Sequence, residues 1–234
     1  MGSIQDVAIQ FRRRGAIILK EEGITGLMKR VVVRLGRKPF HRGGYIVALS
    51  LDHLIGVPIP AVDVEIDQVK ATDDNDLEML TTFGEYGGSK THLLQRLAEG
   101  QRCYVAKSEG RIIAVDWVLE GEFGDSFLGR RFKLADDELY YEGGFTVPEF
   151  RGKGIMPQMV AQSVSDIKTH CQHKTRGLAF IEASNKASLR TTTRMGFKRV
   201  GRVGFVEIFG VRFHYLLGRN VLPETTQRFS LERG

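Results

Sequence analysis

The spacing of hydrophobic and polar residues along the chain changes near residue 150, from an extended pattern to a helical one. Residues 139–147 form an extended apolar segment that stops at Pro148, because proline cannot donate to a sheet ladder. From residue 155 onward the apolar residues follow a helical stripe. The stripe comprises Ile155, Met159, Val160, Val164 and Ile167. The pattern predicts a strand, a turn of sequence Arg-Gly-Lys-Gly and a helix.

The same test of period predicts the other elements. Strands are predicted at residues 64–69, 102–107, 111–119, 178–183, 199–204 and 206–217, and helices at 76–83, 91–99 and from 185. A short apolar run at residues 45–51 is a buried-strand candidate that periodicity alone leaves ambiguous. This order of elements is typical of an α+β or mixed α/β fold.

The first 42 residues form a basic, amphipathic segment. They contain ten Lys/Arg and three Asp/Glu, a net charge of +7, whereas the remaining 24 Lys/Arg and 25 Asp/Glu give −1. Two amphipathic helices are predicted here, and the second has a complete apolar stripe. That stripe comprises Ile24, Leu27, Met28, Val31, Val32 and Leu35. A stripe this regular must be buried against something.

Several partners fit the extension, and the sequence leaves them open. The stripe can pack on the domain itself, on a second copy in a homodimer, or on an anionic membrane through residues 1–40. The charge can also attract an acidic protein. Nucleic acid is not expected, since Phe11 is the only aromatic residue near the basic patch.

Composition indicates a globular chain without a metal. Hydrophobic residues make up 42% and charged residues 26% of the 234 positions, and no apolar run approaches the length of a membrane span. Cys103 and Cys171 lack metal-ligand spacing. We expect reduced thiols in the cytoplasm, with peripheral contact at the inner membrane surface as the alternative.

The turn at residues 151–154 carries candidate chemistry. A helix N-terminus has unpaired N–H groups and a partial positive charge. Gly152 and Gly154 let a ligand approach the backbone, while Arg151 and Lys153 add charge. These features together suit a pyrophosphate group.

At these residues the chain resembles a known superfamily. Arg151-Gly152-Lys153-Gly154-Ile155-Met156 resembles the coenzyme A-binding motif of the GNAT N-acyltransferases, except that Met156 stands at a position that is usually small. Downstream, Asn185-Lys186-Ala187-Ser188 and Met195-Gly196-Phe197 are similar to a second motif of that superfamily. Two motifs in the right order are more specific than either alone.

The resemblance implies a fold and its boundaries. It covers residues 62–217 and implies a central, mostly antiparallel sheet flanked by helices. We therefore expect a basic helical extension and connector at residues 1–61, an acyltransferase domain at 62–220 and a C-terminal tail at 221–234.

The resemblance also implies an activity and a cofactor site. It implies transfer of an acetyl group from acetyl-coenzyme A, a co-substrate, to a primary amine of a small molecule or peptide by direct attack. The donor carbonyl would be held by backbone N–H groups of Gly144, Phe145 and Thr146, and the pyrophosphate by residues 151–156. Asn185, in the motif that ends at Ser188, would contact the pantetheine arm or only cap its helix.

The proton-transfer groups are left with alternatives. Glu142 and Glu138 are candidate bases, and they share a face of the predicted strand if no bulge intervenes. At the position where the superfamily commonly has a tyrosine acid, this chain has Thr192. Tyr141 or Tyr215 would substitute, or the thiolate would leave unassisted.

Two other functions stay open. An acyl carrier protein can supply the acyl group, because carrier proteins are acidic and the basic extension would attract them. The departures at Met156 and Thr192 also leave open a binding module without catalysis.

Overall fold

The computed structural model of the protein describes residues 40–125, 130–208 and 211–217. The predicted helices of the basic extension, up to residue 39, and the tail at 221–234 lie outside the described residues. None of the described helices combines the length and apolar character that crossing a membrane requires.

The described residues form ten strands and four α-helices. The strands are β1 (Phe40–Ser50), β2 (Glu65–Val69), β3 (Arg102–Ser108), β4 (Arg111–Leu119), β5 (Glu122–Asp125), β6 (Arg130–Lys133), β7 (Glu138–Thr146), β8 (Arg176–Glu182), β9 (Lys198–Ile208) and β10 (Val211–Leu217). The helices are α1 (Asp74–Thr81), α2 (Lys90–Ala98), α3 (Ile155–His170) and α4 (Lys186–Arg194). Two 3₁₀ turns occur at Gly84–Tyr86 and Pro148–Phe150.

Eight strands form one mixed sheet, which confirms the predicted fold class. Their order is β10-β9-β1-β8-β7-β4-β3-β2, while β5 and β6 form a separate hairpin. The pairs β1–β8, β2–β3, β3–β4 and β4–β7 are antiparallel, and β7–β8 is parallel.

Two apolar clusters cover the two faces of this sheet. Successive strand residues point to opposite faces, and on β4 the residues Val115 and Trp117 join one cluster while Ala114 and Val118 join the other. Helices α1 and α2 contribute residues to the first cluster, and α3 and α4 contribute residues to the second. We call these the α1/α2 face and the α3 face.

Most of the ambiguous apolar run at residues 45–51 lies in β1, an interior strand of the sheet. Strand β1 pairs with β8 from Gly44 opposite Glu182 to Ser50 opposite Arg176. Leu49 is only 1% exposed. Residues that the sequence assigned to an extension before position 62 thus contribute to the core of the sheet.

Internal contacts divide the chain into two units. Of the described residues, 43–203 and 216–217 form the larger unit, and 40–42, 204–208 and 211–215 belong to the smaller one. Within the smaller unit, the Phe40 and Phe205 rings lie 6.3 Å apart, and His41 Nε2 lies 2.7 Å from the Tyr215 hydroxyl. Tyr215, an alternative acid in the sequence, is thus engaged with His41.

Candidate active site

Strand β7 contains a bulge in its middle. Val115 pairs with Phe145 and Trp117 pairs with Glu142, so two residues of β7 face the single residue between them on β4. Gly143, the first of the two, has a φ of 71°, a left-handed conformation that side chains rarely adopt. The bulge thus depends on the glycine pair that follows Glu142.

Strands β7 and β8 separate at the bulge. Their parallel pairing ends at Tyr141 opposite Ala179, whereas β7 continues to Thr146. The backbone at Gly144, Phe145 and Thr146 therefore runs beyond the last β8 pair, and Gly144 is exposed. We call the gap between the two strands beyond this last pair the cleft.

The turn after β7 leads directly into α3. Gly152 and Gly154 have φ values of 76° and 81°, and Gly154 occupies the N-cap position of α3 without a side chain to accept hydrogen bonds. The first N–H groups of α3 therefore lack a side-chain cap and remain able to bind an anion.

The two basic residues of the turn contact neighbouring groups. The Nε of Arg151 donates a hydrogen bond of 2.9 Å to the carbonyl of Thr146, and its guanidinium lies 5.5 Å from the centre of the Phe145 ring. The Nζ of Lys153 lies 4.8 Å from the ring of Phe150. Arg151 thus ties the turn to the end of β7.

The connector between β1 and β2 crosses the same turn. The Ala61 N–H donates a hydrogen bond of 2.9 Å to the carbonyl of Lys153. A Cβ added at Gly154 would lie 3.1 Å from Pro58 Cγ, so a side chain at this position would press on the connector.

The unusual methionine of the motif lies beside the bulge. A Cβ added at Gly144 would come within 3.5 Å of Met156 Cε and 3.6 Å of its Sδ. Ile155, its neighbour, is 1% exposed and belongs to the core of the α3 face. Met156 therefore borders the cleft, whereas Ile155 anchors the helix.

The second motif forms the start of α4. Asn185 Oδ1 accepts a hydrogen bond of 3.1 Å from the Ser188 N–H, which is a side-chain cap. Thr192 donates a hydrogen bond of 2.9 Å to the carbonyl of Ser188 within the helix. Asn185 thus caps α4, and its contact with pantetheine stays a prediction.

Glu142 lies on the α1/α2 face beside the bulge. Its Oε2 is 2.7 Å from Arg96 Nη2, and the Arg96 guanidinium lies 3.8 Å from the centre of the Trp117 ring. Tyr86 stacks on Phe145 of β7 with ring centres 4.5 Å apart. A carboxylate, a cation and aromatic rings therefore line this side of the cleft region.

The other candidate acid and base groups of β7 are buried. Glu138 is 0% exposed, lies 3.4 Å from Arg176 Nη1 and accepts a hydrogen bond from the Ala135 N–H. The Tyr141 hydroxyl lies 3.3 Å from Ser163 Oγ beneath α3, and burial raises the pKa of Tyr141. The bulge region thus contains Glu142, while Glu138 is enclosed at the start of the strand.

The sequence reasoning missed Asp116, the β4 residue opposite the two glycines. Its side chain is 5% exposed, and a Cβ added at Gly144 would lie 3.2 Å from its Oδ1. Burial raises the pKa of Asp116 to about 8, with Glu142 acting in the same direction. The available signal was a single carboxylate inside the apolar strand at residues 112–119.

Within the residues that the structure describes, no cluster of His, Cys, Asp and Glu is arranged to hold a metal ion.

Comparison with known proteins matches the chain to one family. The model of the acetyltransferase (GNAT) family matches residues 72–197, more than half of the 234 residues. No curated protein matches the chain.

Two solved structures are similar to the chain. A tandem GNAT protein from the clavulanic acid biosynthesis pathway superposes with a TM-score of 0.52 at 13% identity, covering 71% of this chain and 53% of its own. A GCN5-related N-acetyltransferase from Kribbella flavida has a TM-score of 0.44 at 12% identity, covering 90% and 67%. The chain thus spans about half of the tandem protein.

The buried carboxyl of Asp116 predicts a pH-dependent stability difference. Between pH 3.8 and about 8 the unfolded chain loses this proton while the folded protein keeps it, so folding is penalised increasingly as pH rises. We expect Asp116→Asn to gain stability relative to the natural chain, by up to about 1.4 kcal/mol per pH unit. The gain should stop above about pH 8.

Chemical denaturation of both proteins across this range measures the difference. The exposed Asp63 provides a matched control. For Asp63→Asn, the plot of unfolding free energy against pH should run parallel to that of the natural chain. Parallel curves for Asp116→Asn would contradict the prediction.

Proposed function

Because the chain belongs to the acetyltransferase (GNAT) family, we propose that it transfers an acetyl group from acetyl-coenzyme A to a primary amine. The observation that carries this proposal is the separation of β7 from β8 beside the uncapped start of α3. An extended, amide-containing ligand arm can pair with a strand edge, and a pyrophosphate suits a helix N-terminus. Coenzyme A contains both groups in one molecule.

Different residues of the cleft would bind different parts of the donor. The pyrophosphate would bind the N–H groups of residues 152–156 with help from Arg151 and Lys153. The arm would lie along Gly144, Phe145 and Thr146, whose backbone N–H groups would donate to the thioester carbonyl as it gains charge. Asn185 and Ser188, at the start of α4, would border the arm.

Transfer would occur by direct attack of the amine on the thioester. Burial raises the pKa of Cys103, which is 0% exposed and so is not a thiolate nucleophile. Cys171 follows the far end of the 16-residue α3, about 24 Å from its N-terminus. Neither cysteine therefore supports an acyl-enzyme at the cleft.

Glu142 is the base that this geometry favours. An ammonium must lose a proton before it can attack, and the Glu142 carboxylate lies beside the bulge with 31% of its side chain exposed. Arg96 holds it at 2.7 Å. The enclosed Glu138 has no exposed surface through which an amine could reach it.

Coenzyme A binding tests the donor site. We expect Lys153→Glu to weaken coenzyme A binding at least tenfold, about 1.4 kcal/mol, because it places a negative charge beside the pyrophosphate. Isothermal titration calorimetry measures the affinity. Lys70→Glu, an equal charge change at an exposed residue directly after β2, should bind coenzyme A as the natural chain does. If the natural chain binds no coenzyme A, the proposed donor is wrong.

Acetylation rates test whether Glu142 is the base. Glu142→Gln should lower acetylation roughly 10²–10⁴-fold near neutral pH and less at high pH, where the free amine is abundant. A 42 Da mass gain in a panel of primary amines and peptides, with the best acceptor then assayed across pH, provides the readout. An unchanged rate, or the same behaviour for Glu138→Gln, would contradict this assignment. Coenzyme A binding without any acetylation would favour the non-catalytic alternative.

A second candidate donor is an acyl carrier protein. It is favoured by a basic surface in the larger unit, where residues 183–203 contain six Lys/Arg and no Asp/Glu. This basic surface comprises the exposed residues Lys186, Arg190, Arg194, Lys198, Arg199 and Arg202. Three of them recur every fourth residue and so share one side of α4. It begins at the helix end that would border the arm, where an acidic carrier would dock.

A comparison of the two donors tests whether an acyl carrier protein supplies the acyl group. We expect Arg190→Glu to lower kcat/KM for an acetyl-loaded acyl carrier protein several-fold and to leave that for acetyl-coenzyme A nearly unchanged. The carrier reaction should weaken as salt increases, since exposed charges are screened. Equal effects on both donors, or no reaction with the carrier, would exclude it.

A further inference from the structure

Asp116 is a buried carboxyl group that the proposed function does not use. It lies on β4 with its side chain on the α3 face, between Ala114 and Val118 of the same cluster. Burial of a carboxyl group without a paired cation is costly, so such groups are rare outside sites that use them. Its neighbours and its position relative to the cleft indicate a use.

The bulge brings this carboxyl group beside Gly144, on the α3 face of β7. Gly144 is exposed, and its missing side chain would point to within 3.2 Å of Asp116 Oδ1. Any residue with a side chain here would cover the carboxyl group. A ligand atom at the position of that missing Cβ would lie within hydrogen-bonding range of Asp116 Oδ1.

The groups that face Asp116 favour its neutral form. Tyr104 is its pair on β3 and is 1% exposed, with no hydrogen-bond partner for its hydroxyl in the described chain. Tyr141 and Glu142 of β7 and Cys103 of β3 also lie close enough to interact electrostatically. No lysine or arginine of the described residues offsets the burial, and only the Trp117 backbone stabilises the anion. Asp116 is therefore a proton donor at neutral pH.

We propose that Asp116 is the general acid that protonates the departing sulfur of the acyl donor. This inference rests on the proposed function, which puts the thioester against Gly144. It also supplies the acid that is missing at Thr192, whose hydroxyl is bound within α4.

The proton balance of the step is complete. The amine nitrogen forms a bond to the thioester carbon, and the carbon–sulfur bond breaks with its electron pair on sulfur. The Asp116 O–H proton passes to that sulfur, and the nitrogen loses one proton to the base. Asp116 then recovers a proton from water, so no further reactant is consumed.

A change of leaving group isolates this role. The donors are acetyl-coenzyme A and its selenoester analogue, whose less basic selenolate leaves without a proton. Hydroxylamine is the nucleophile, because it is unprotonated at neutral pH and needs no base before it attacks. Release of the thiol or selenol is measured after subtraction of the uncatalysed reaction.

The natural chain alone gives the first readout. The kcat/KM for the thioester should fall as pH rises above about 8, the pKa of Asp116, because the acid is then ionised. The selenoester should show no such fall. Parallel profiles for the two donors would overturn the proposal without any variant.

Asp116→Asn gives the second readout. We expect a loss of roughly 100-fold with the thioester, only a few-fold with the selenoester, and no fall at high pH. Asp63→Asn should match the natural chain with both donors. An equal loss with both donors would mean a structural role, and no loss would mean no role; either overturns the proposal.

Binding separates this inference from the proposed function. If calorimetry detects no coenzyme A binding by the natural chain, the proposed function fails and the inference fails with it. If coenzyme A binds and hydroxylamine is acetylated but Asp116→Asn is unaffected, only the inference is wrong.

Discussion

The site depends on the one extra residue that the bulge inserts into β7. Gly143 adopts a left-handed conformation there, and the strand leaves β8 directly afterwards, at the pair Tyr141–Ala179. Without the bulge, β7 could continue alongside β8, which runs on to Glu182. The cleft, the exposed backbone of Gly144 and the approach to α3 all follow from this separation.

The bulge also changes which side chains share a face. In a regular strand, residues three apart point to opposite faces, but Glu142 and Phe145 both lie on the α1/α2 face. Gly144 is turned toward the α3 face beside Asp116 and Met156. A paired carboxylate on one side and a neutral carboxyl group on the other can therefore serve the two ends of one reaction, proton removal and proton delivery.

The sequence predicted the parts of the site that depend on local chemistry. The turn at Gly152 and Gly154 was recognisable from its two glycines, which adopt positive φ in the structure, and from the apolar stripe of the helix after it. The position of β1 was not predictable, since a short apolar run fits a helix as well as a strand. Asp116 was missed because its importance depends on the register of β4 against a bulged partner, which no local pattern encodes.

Asp116 also illustrates why a buried acid is informative. The free energy that the fold loses at neutral pH by enclosing this group would be recovered by asparagine, which has nearly the same shape and no proton to lose. An apolar or uncharged residue would therefore fit this apolar strand better than aspartate. Residues that fit their local environment poorly concentrate at functional sites. Asp116 lies opposite the two glycines that open the cleft. Two unusual features at one register position, a bulge built on a left-handed glycine and a buried carboxyl group, are most simply explained by one shared task.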